Sequence, residues 1–515
     1  MLRLKSYVLD QWIDGEGEGE TLFDPSTGEA VATTSTVGID RAAMLRHGRD
    51  VGGPNLRALS FAERGALLKT LSGALHEARE ALIEASMGNG GTPRGDAKFD
   101  IDGATGTLAY YASLGKKLGD RQFLVEGEGE QLTRGARFWG HHIKTPRRGV
   151  ALHINAFNFP AWGLAEKAAV ALLAGVPVVS KPGSATAVLA FRCMEVMVAT
   201  GALPAGALQF LCGEPGDLLA HCEGQDVLAF TGSGSTGAKL RALDSVARAG
   251  VRVNVEADSL NATVLGSDVE VGSDTWHMFV QDTAREITQK TGQKCTATRR
   301  IFVPEAQLGA ALEAIGEELG RVKFGRPGTD GVRMGPLATA AQKTSVEQGL
   351  GELVESGCAV AWQSKEGPAG EGVERGAFFP PTLLRCDAPH ENARVHELEV
   401  FGPVSTLMAY SDAADASALV ARGGGGLVAS VYSDSREFVR EVVLAIAPFS
   451  GRVLVGSKKV TGQAMGPGVV LPSSVHGGPG RAGGGEELGG LRGLDFYLQR
   501  SSVQGDRALL DKILS

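Results

Sequence analysis

Short apolar runs alternate with segments of helical periodicity over most of the chain. Five apolar runs of strand length follow one another from about residue 150 to about residue 260: VALHINAF, VPVVSKP, ALQFLCG, DVLAFTGS and VRVNVEADS. The segments between them carry apolar residues at helical spacing, and PAWGLAEKAAVALLAG has Pro at its start and Gly at its end, as helices do. Strands that alternate with helices predict a parallel, doubly wound sheet. Such sheets bind nucleotides at the carboxyl ends of their strands.

Other regions follow different patterns. Residues 59–88 carry apolar residues at helical spacing and predict an amphipathic helix. A second alternation of helices and strands begins with DTAREITQKTG and continues to about residue 450. Residues 127–149 are polar, basic and rich in turn residues, so we expect an exposed arm. The Gly-rich segment 476–493 is too irregular for a repeat and predicts a loop shaped by its backbone.

The composition is typical of a soluble globular protein. The chain has 515 residues, of which 43% are hydrophobic and 21% are charged, and this length suggests about two to four domains. The net charge of −8 argues against a nucleic-acid partner, which requires a basic surface. No long apolar run indicates a membrane span, and the N-terminus becomes polar too early for a signal peptide. We therefore expect a cytoplasmic protein with no membrane partner.

The cysteines bear on both metals and location. There are six, without a C-x-x-C pair or a Cys/His ligand spacing, so the sequence predicts no metal site. Free thiols fit a reducing cytoplasm. Cys295, in TQKTGQKCTATRR, stands among basic and small residues. It is either a buried structural thiol, which is the commoner case, or the nucleophile of an enzyme, which would need an oxyanion donor and a base.

Two polar residues are candidates for those partners. Asn158 lies in NAFNFPAWG at a strand-to-helix corner, where its amide can donate to an oxyanion. The alternative for Asn158 is a helix N-cap, which Asn provides well. Glu256 ends a predicted strand and is a general base if it faces the site. The alternative for Glu256 is a strand-end carboxylate in water.

Two further strand ends carry candidate nucleotide contacts. In VVSKPGSATA, Lys181 ends a strand and Ser184 opens the next helix, a place suited to a ribose or a phosphate. The alternative for Lys181 is a solvated surface lysine. In FTGSGSTGAKL, Gly232 and its neighbours allow the backbone to approach a pyrophosphate at a helix N-terminus. The spacing differs from the usual G-x-G-x-x-G, so this signal is weak by itself.

The order and spacing of these motifs resemble the aldehyde dehydrogenase superfamily. NFP, KP, FTGS, a strand-end Glu and GQ-x-C follow in the family's order, and EVFGP at 399–403 continues the pattern. The resemblance covers essentially the whole chain. The stretches HINAFNFP, EADSLN, GQKCTA, AFFPPTLL and VHGGPGRAGGGEELGGLR are similar to one branch of the superfamily. That branch contains the aldehyde dehydrogenase part of the bacterial phenylacetate ring-opening enzymes and a semialdehyde dehydrogenase of the aerobic benzoyl-CoA (box) pathway.

The resemblance implies an α/β fold with a Rossmann-like parallel-sheet cofactor domain, an α/β catalytic domain and an oligomerisation arm. The implied boundaries are 1–126 and 150–256 for the dinucleotide-binding domain, 257–465 for the catalytic domain, 127–149 and 494–515 for the arm, and 466–493 for a returning Gly-rich segment. Because the family's arms pair subunits, we expect a homodimer.

The resemblance also implies roles for single residues. Cys295 is the expected nucleophile, Glu256 the base and Asn158 the oxyanion amide. The expected cofactor contacts are Lys181 and Ser184 at the adenosine ribose, Gly232 and Ser233 at the pyrophosphate, Glu399 at the nicotinamide ribose, and Phe401 near the nicotinamide. Glu487 aligns with a family glutamate near the active site and is either a proton relay or a surface-loop carboxylate. Two motifs depart from the family pattern, because ELGGK is here EADSL and FTGST is here FTGSG.

The implied activity is oxidation of a CoA-linked semialdehyde to the carboxylic acid through a cysteine thioester, in bacterial aerobic degradation of benzoate. We expect 3,4-dehydroadipyl-CoA semialdehyde as the substrate, because the chain stops where the phenylacetate enzymes continue into a hydratase domain. The alternatives are 3-oxo-5,6-dehydrosuberyl-CoA semialdehyde of the phenylacetate pathway and a general aldehyde.

We expect NADP as the cofactor, with NAD less favoured. Ser184 stands where NAD-preferring relatives commonly carry a glutamate, which would repel the 2′-phosphate of NADP. The alternative is that Ser184 caps the next helix and tolerates both cofactors.

Two other protein classes compete with this interpretation. A cysteine hydrolase without a nucleotide would need a histidine base near the thiol, and no histidine lies within fifteen residues of Cys295 in the sequence. A catalytically inactive, structural member of the family has no reason to keep Cys295, Glu256 and Asn158 together.

Overall fold

Helices and strands alternate along the chain much as the hydrophobic pattern predicts. The structure is a computed structural model and describes residues 1–514. The strands are β1 (Leu2–Leu4), β2 (Ser6–Val8), β3 (Gln11–Ile13), β4 (Glu20–Phe23), β5 (Ala30–Thr34), β6 (Leu124–Gln131), β7 (Phe138–Pro146), β8 (Ala151–Ile154), β9 (Val178–Lys181), β10 (Leu208–Phe210), β11 (Val227–Thr231), β12 (Arg252–Glu256), β13 (Ala262–Leu265), β14 (Arg300–Pro304), β15 (Ala359–Gln363), β16 (Thr382–Cys386), β17 (Val404–Tyr410), β18 (Gly426–Tyr432), β19 (Ser450–Gly456), β20 (Val475–Gly478), β21 (Gly485–Leu488) and β22 (Leu498–Asp506).

The α-helices lie between these strands, with short 3-10 and π turns at several junctions. They are α1 (Arg41–His47), α2 (Gly53–Ala58), α3 (Phe61–Glu77), α4 (Arg79–Gly90), α5 (Arg94–Leu118), α6 (Pro160–Ala174), α7 (Ala187–Ala199), α8 (Gly234–Arg241), α9 (Asp244–Ala249), α10 (Asp274–Thr288), α11 (Leu308–Gly320), α12 (Ala340–Glu355), α13 (Ala413–Ala421), α14 (Arg436–Ile446), α15 (Leu491–Tyr497) and α16 (Arg507–Leu514).

The first large sheet has the strand order β12-β11-β8-β9-β10-β2-β3. The five strands from β12 to β10 are parallel, and β2 and β3 add an antiparallel edge. The chain starts this parallel set at β8, winds outward to β10 and then returns to β11 on the other side of β8. This reversal opens a crevice at the carboxyl ends of β8 and β11, which is where doubly wound sheets bind ligands. The predicted α/β class is therefore confirmed.

The second large sheet has the order β15-β16-β17-β14-β13-β18-β19, and it is parallel except for β15. Neighbouring side chains of β14 point to opposite faces: Ile301 and Val303 pack with α10 and α11, while Phe302 packs with α12, α13 and α14. Both faces are covered, which explains why these strands are continuously apolar.

Three smaller sheets complete the fold. Strands β1, β5 and β4 form one of them, and β20 and β21 form a hairpin within the Gly-rich segment. Residues 127–149 contribute to a three-stranded sheet in which β7 pairs with both β6 and β22. The arm is thus tied to the C-terminal strand by backbone hydrogen bonds. Among residues 1–514, no helix has the length and apolarity that crossing a bilayer requires.

Two predicted helices are divided in the structure. The amphipathic segment 59–88 forms α3 and α4, which Ala78 separates. Neither Gly nor Pro marks this break, so the sequence pattern gives no sign of it. The segment STGAKLRALDSVARAG likewise forms α8 and α9, and GDLLAHCEG forms a 3-10 turn, Leu218–His221.

Candidate active site

Cys295 lies in a tight loop that follows α10. Lys290 and Thr291 in this loop have φ angles of 55° and 56°, a left-handed conformation that residues other than Gly rarely adopt. The loop is held from inside by Lys294, whose Nζ lies 2.7 Å from Oε2 of Glu286, with both side chains buried. The thiol therefore projects from a backbone that is fixed in position.

Glu256 and His476 face this thiol. Glu256 is the last residue of β12, and His476 lies in β20. Nε2 of His476 is 3.2 Å from Oε2 of Glu256 and 4.0 Å from Sγ of Cys295. Glu256 is only 2% exposed, so the interpretation as a strand-end carboxylate in water is wrong. Three separate chain segments bring a thiol, a carboxylate and an imidazole into one cluster.

The charges in this cluster change the pKa of each member. Burial raises the pKa of Glu256, but the charge and hydrogen bond of His476 and the charge of Lys167 outweigh it and lower the pKa to about 2. Burial, together with the charge of Glu256, raises the pKa of the Cys295 thiol well above its ordinary value. Burial lowers the pKa of His476, yet Glu256 raises it above its ordinary value. In the free protein the thiol is therefore neutral and Glu256 is ionised.

Asn158 lies beside the cysteine loop rather than capping a helix. Helix α6 begins at Pro160, and its N-cap residue is Phe159, with no side-chain cap. The N-cap interpretation of Asn158 is therefore wrong. Its Nδ2 instead donates to the carbonyl oxygen of Gln293 over 3.0 Å, which holds the amide next to the loop that carries Cys295.

Two cavities meet at Cys295. The larger one has a volume of about 780 Å³ and lies at the carboxyl edge of the first sheet. The smaller one, of about 40 Å³, is bordered by the aromatic rings of Phe159 and Trp162. Asn158, Glu256 and Cys295 line both cavities. The thiol can therefore meet a large ligand from one side and a small reacting group from the other.

The predicted cofactor residues converge on the larger cavity, with one exception. Those that line it are Lys181, Gly232, Ser233, Glu399 and Phe401. Ser184 begins the adjoining 3-10 turn, Ser184–Thr186, and does not line the wall. It does not cap α7 either, because the N-cap residue of that helix is Thr186, without a side-chain cap.

Lys181 supplies a cation to the wall of this cavity. Its side chain is partly buried in the wall, so it is not a fully solvated surface lysine. Burial lowers the pKa of Lys181, and the carboxylates of Glu214 and Glu20 act in the opposite direction. Both of these carboxylates are exposed.

Glu399 and Phe401 line the same cavity as Cys295. The backbone N–H of Ser259 donates to Oε2 of Glu399 over 3.1 Å, and Nε of Arg299 lies 3.6 Å from Oε1. Burial raises the pKa of Glu399 to about 7. Oε1 is buried and makes no hydrogen bond within the described residues. A buried acceptor in a cavity wall suits the hydroxyl groups of a bound ligand.

The turn after β11 shows a structural effect of EADSL, the segment that stands where the family usually has ELGGK. Ser233 caps α8, because its Oγ accepts a hydrogen bond from Thr236 N over 3.3 Å. Oδ1 of Asp258, from EADSL, accepts a hydrogen bond from Gly234 N over 2.8 Å. A carboxylate therefore occupies a helix N-terminus that the resemblance assigns to a pyrophosphate.

Glu487 belongs to a buried polar network. Its Oε2 lies 3.1 Å from Nζ of Lys167, which also lies 3.1 Å from Oε1 of Glu166. Asn254 donates to Oε1 of Glu487 over 2.9 Å. The Glu487 side chain is 9% exposed, so the interpretation as a surface-loop carboxylate is wrong. Burial raises its pKa to about 6.

His476 is the member of the site that the sequence did not reveal. It lies far from Cys295 along the chain, in a Gly-rich stretch without helix or strand periodicity. The argument that no histidine base is available to the thiol is therefore wrong, because the hairpin of β20 and β21 places one there. The indication that the sequence did contain was His476 itself, a single titratable side chain in VHGG. The rest of that segment is Gly-rich and allows close backbone packing.

Comparison with known proteins gives a consistent picture. A profile described as the aldehyde dehydrogenase family matches residues 12–503. The chain is 45% identical over 480 residues to the 3,4-dehydroadipyl-CoA semialdehyde dehydrogenase of Aromatoleum evansii, covering 93% of each chain. It is 27% identical over 441 residues to the succinate-semialdehyde dehydrogenase [NADP(+)] GabD of Escherichia coli strain K12, covering 84% of this chain and 86% of that one.

Solved structures show the same fold. Betaine aldehyde dehydrogenase from Staphylococcus aureus, in complex with NAD+, superposes with a TM-score of 0.85 at 22% identity. The match covers 98% of this chain and 95% of that one.

Proposed function

Since the chain belongs to the aldehyde dehydrogenase family, we propose that it oxidises a CoA-linked semialdehyde to the carboxylic acid, with Cys295 as the nucleophile. The observation that carries this proposal is the position of Cys295, Glu256 and Asn158 at the junction of the two cavities. A nucleotide-independent hydrolase also needs a thiol, a carboxylate and an imidazole, but it has no use for the larger cavity.

The larger cavity fits a nicotinamide dinucleotide. It offers a cation at Lys181, a helix N-terminus capped by Ser233, and the buried Oε1 of Glu399, which makes no hydrogen bond within residues 1–514. In the proposal, Lys181 holds the adenosine ribose from the cavity wall, Ser184 contacts it from the adjoining 3-10 turn, and Gly232 and Ser233 hold the pyrophosphate. Glu399 binds the nicotinamide ribose and Phe401 packs near the ring. The bound nucleotide supplies the hydride acceptor.

The residues of the chain carry the remaining steps. The Cys295 S–H bond breaks as its proton passes to water, the sulfur bonds to the aldehyde carbon, and the carbonyl electron pair becomes an oxyanion that accepts hydrogen bonds from Asn158 and the Cys295 backbone N–H. Loss of hydride leaves a thioester on Cys295. Glu256 then takes a proton from water as the water oxygen attacks the thioester carbon, and the carbon–sulfur bond breaks to release the acid.

Glu487 and Lys167 provide a path for the proton that Glu256 receives. Lys167 contributes to the lowered pKa of Glu256 and contacts Glu487 directly. Glu487 in turn lies in a small cavity that also borders Phe496 and Tyr497 of α15. We propose that Glu487 accepts the proton through this network and relays it away from the site.

We propose 3,4-dehydroadipyl-CoA semialdehyde as the substrate, in bacterial aerobic degradation of benzoate. The support is the similarity to the Aromatoleum evansii enzyme, which extends over 93% of both chains. The alternative is 3-oxo-5,6-dehydrosuberyl-CoA semialdehyde of the phenylacetate pathway.

We propose NADP as the preferred cofactor, in place of NAD. Ser184 brings no charge to the turn after Lys181, and so leaves the lysine available for a 2′-phosphate. A relative whose name specifies NADP(+) is similar over 84% of this chain.

The domain boundaries, quaternary state and location complete the proposal. Residues 1–126 and 150–256 bind the dinucleotide, 257–465 carry the catalytic cysteine, and 466–493 return across the site.

The arm, 127–149 and 494–515, pairs two copies into a homodimer, because its strand β6 has one edge without a partner among residues 1–514. Light scattering tests this state. The free cysteines favour the cytoplasm.

The activity is tested by absorbance at 340 nm with CoA-linked and free semialdehydes of several lengths, and with each cofactor. The proposal predicts the highest kcat/KM for the six-carbon CoA-linked semialdehyde with NADP. A preference for free aldehydes would contradict the substrate assignment, and cofactor-independent turnover would favour the hydrolase.

A further inference from the structure

Three side chains that can bind a metal ion meet at the junction of the two cavities. The sulfur of Cys295, a carboxylate oxygen of Glu256 and a ring nitrogen of His476 all lie within 4.8 Å of one another. Nε2 of His476 is 3.2 Å from Oε2 of Glu256 and 4.0 Å from the sulfur. The three residues come from β12, from the loop after α10 and from β20. Ligand spacing along the sequence therefore could not indicate this group.

The distances are close to those of a tetrahedral zinc site. Zinc binds sulfur at about 2.3 Å and nitrogen or carboxylate oxygen at about 2.0–2.2 Å, so its ligand atoms lie about 3.3 Å (N to O) and about 3.6 Å (N to S) apart. The separation of Nε2 and Oε2 agrees with this geometry, and a small rotation of the Cys295 side chain brings the sulfur into range. All three residues line the smaller cavity, of about 40 Å³, which has room for water as the fourth ligand.

Zinc would leave the net charge of this buried group unchanged. At rest, Nε2–H of a charged His476 donates to the Glu256 carboxylate, and the Cys295 thiol is neutral, so the three charges sum to zero. Binding of Zn²⁺ displaces the proton from Nε2 and the proton from the sulfur, and both protons pass to solvent. The two charges of the ion then balance the thiolate and the carboxylate. The exchange therefore places no uncompensated charge in the protein interior.

The kinds of ligand select the class of metal. Thiolate and imidazole bind Zn²⁺ and Co²⁺, whereas Mg²⁺ and Ca²⁺ require oxygen ligands. The other close group of such side chains among residues 1–514 consists of the carboxylates of Glu166, Glu256 and Glu487. Nζ of Lys167 lies 3.1 Å from both Glu166 and Glu487, so a lysine already provides the positive charge there. The group with the thiol is therefore the one suited to zinc.

We propose that Cys295, Glu256 and His476 form an inhibitory site for Zn²⁺. The bound ion takes up the sulfur electron pair that would bond with the aldehyde carbon, and it occupies the Glu256 oxygen that would activate water. The inhibition, unlike the binding, rests on the proposed role of Cys295 as the nucleophile.

The second nitrogen of His476 indicates that the ion binds reversibly. Nδ1 is buried and has no hydrogen-bond partner within residues 1–514. Histidines that hold a resident metal ion almost always donate from this second nitrogen to an acceptor, and losing that contact typically weakens binding about tenfold to a hundredfold. We therefore expect an ion that binds and leaves, and that EDTA removes.

Binding is tested with Co²⁺ as a coloured substitute for Zn²⁺, added to the full-length protein without cofactor or aldehyde. We expect one equivalent per chain and a thiolate-to-Co²⁺ charge-transfer band in the near ultraviolet, which added Zn²⁺ abolishes. Cys295→Ser should remove this band. Cys222→Ser is the matched control and should keep it, because Cys222 is the other cysteine that is not fully buried.

The contribution of the imidazole is tested by competition for Zn²⁺ with a chromophoric chelator. His476→Gln should raise the dissociation constant for Zn²⁺ about tenfold or more. His153→Gln is the matched control, because His153 is also buried but contacts Tyr497. Cofactor titration of each variant checks that it is folded.

Inhibition is measured in the wild-type enzyme by absorbance at 340 nm. Zn²⁺ at about ten times its measured dissociation constant should lower the rate of aldehyde oxidation about tenfold, and EDTA should restore it. Full activity with Zn²⁺ bound would contradict the inhibition.

The site itself is excluded if Co²⁺ gives no charge-transfer band with the wild type, or if either Cys295→Ser or His476→Gln binds Zn²⁺ as tightly as the wild type. If the metal binds through Cys295 and His476 but no aldehyde is oxidised without it, the metal site stands and the proposed function fails.

Discussion

Nζ of Lys167 lies 3.1 Å from Oε2 of Glu487, and this contact joins the interior helix α6 to the Gly-rich hairpin. Both side chains are almost completely buried, at 2% and 9% exposure. A buried ion pair contributes little net stability, because desolvation offsets the attraction. Its position beside Glu256 therefore points to proton transfer rather than to stability.

Glu487→Gln should slow the release of the acid without affecting the first hydride transfer. Glutamine keeps the hydrogen bond with Asn254 but cannot accept a proton, so kcat should fall roughly tenfold to a hundredfold. The burst of reduced cofactor should keep its amplitude. Glu486→Gln is the matched control, because Glu486 is exposed on the same strand. A Glu487→Gln enzyme with unchanged kcat would exclude the relay.

Ser184→Glu should convert an NADP preference into an NAD preference. A carboxylate close to the 2′-phosphate costs several kcal/mol, so kcat/KM for NADP should fall roughly a hundredfold while that for NAD changes little. Ser235→Glu, in the first turn of α8, is the control for an added charge near the cavity. Equal use of NAD by the wild type would refute the preference at once.

Asp258→Asn should strengthen cofactor binding. The asparagine oxygen can still accept the hydrogen bond from Gly234 N, but the negative charge that competes with the pyrophosphate is lost. A charge at a helix N-terminus changes binding by about 0.3–1 kcal/mol, so the dissociation constant should fall about two- to fivefold. Fluorescence titration with each cofactor measures this effect. Weaker binding by the variant would mean that Asp258 itself holds the ligand.

Cofactor binding should weaken as the pH falls through about 7. Burial raises the pKa of Glu399 to about 7, so the group is an anion above this value and a neutral acid below it. The anion accepts hydrogen bonds from the ribose hydroxyls more strongly. KM for the cofactor should therefore rise about tenfold between pH 8 and pH 6, and Glu399→Gln should remove most of this dependence. A flat profile in the wild type would contradict the contact.

Parallel-sheet topology explains why many site residues can be found from the sequence. Lys181 and Glu256 end strands of one parallel sheet, and Asn158 and Ser233 come soon after two other strands of it. The carboxyl ends of these strands lie at one edge. The alternation of strands and helices is therefore enough to predict that these residues lie close together. The resemblance adds the roles, which strand ends alone do not give.

The features that could not be predicted depend on contacts between distant segments. His476 reaches the site on a hairpin whose backbone path is set by close packing, and no periodicity marks that path. EADSL is visible as a departure from the family pattern, but the contact of Asp258 with Gly234 N requires the structure. The break at Ala78 likewise has no local signal, because Ala is a good helix former.

In the proposed mechanism, Cys295 carries the acyl group and Glu256 is needed to release it. The most direct measurement is rapid mixing of Glu256→Gln with aldehyde and NADP, followed by mass spectrometry of the intact protein. We expect one equivalent of reduced cofactor per site, an acyl adduct on Cys295, and no steady turnover. Cys295→Ala should give neither burst nor adduct while still binding the cofactor. Steady turnover by Glu256→Gln without an adduct on Cys295 would mean that Cys295 does not carry the acyl group and that Glu256 does not release it.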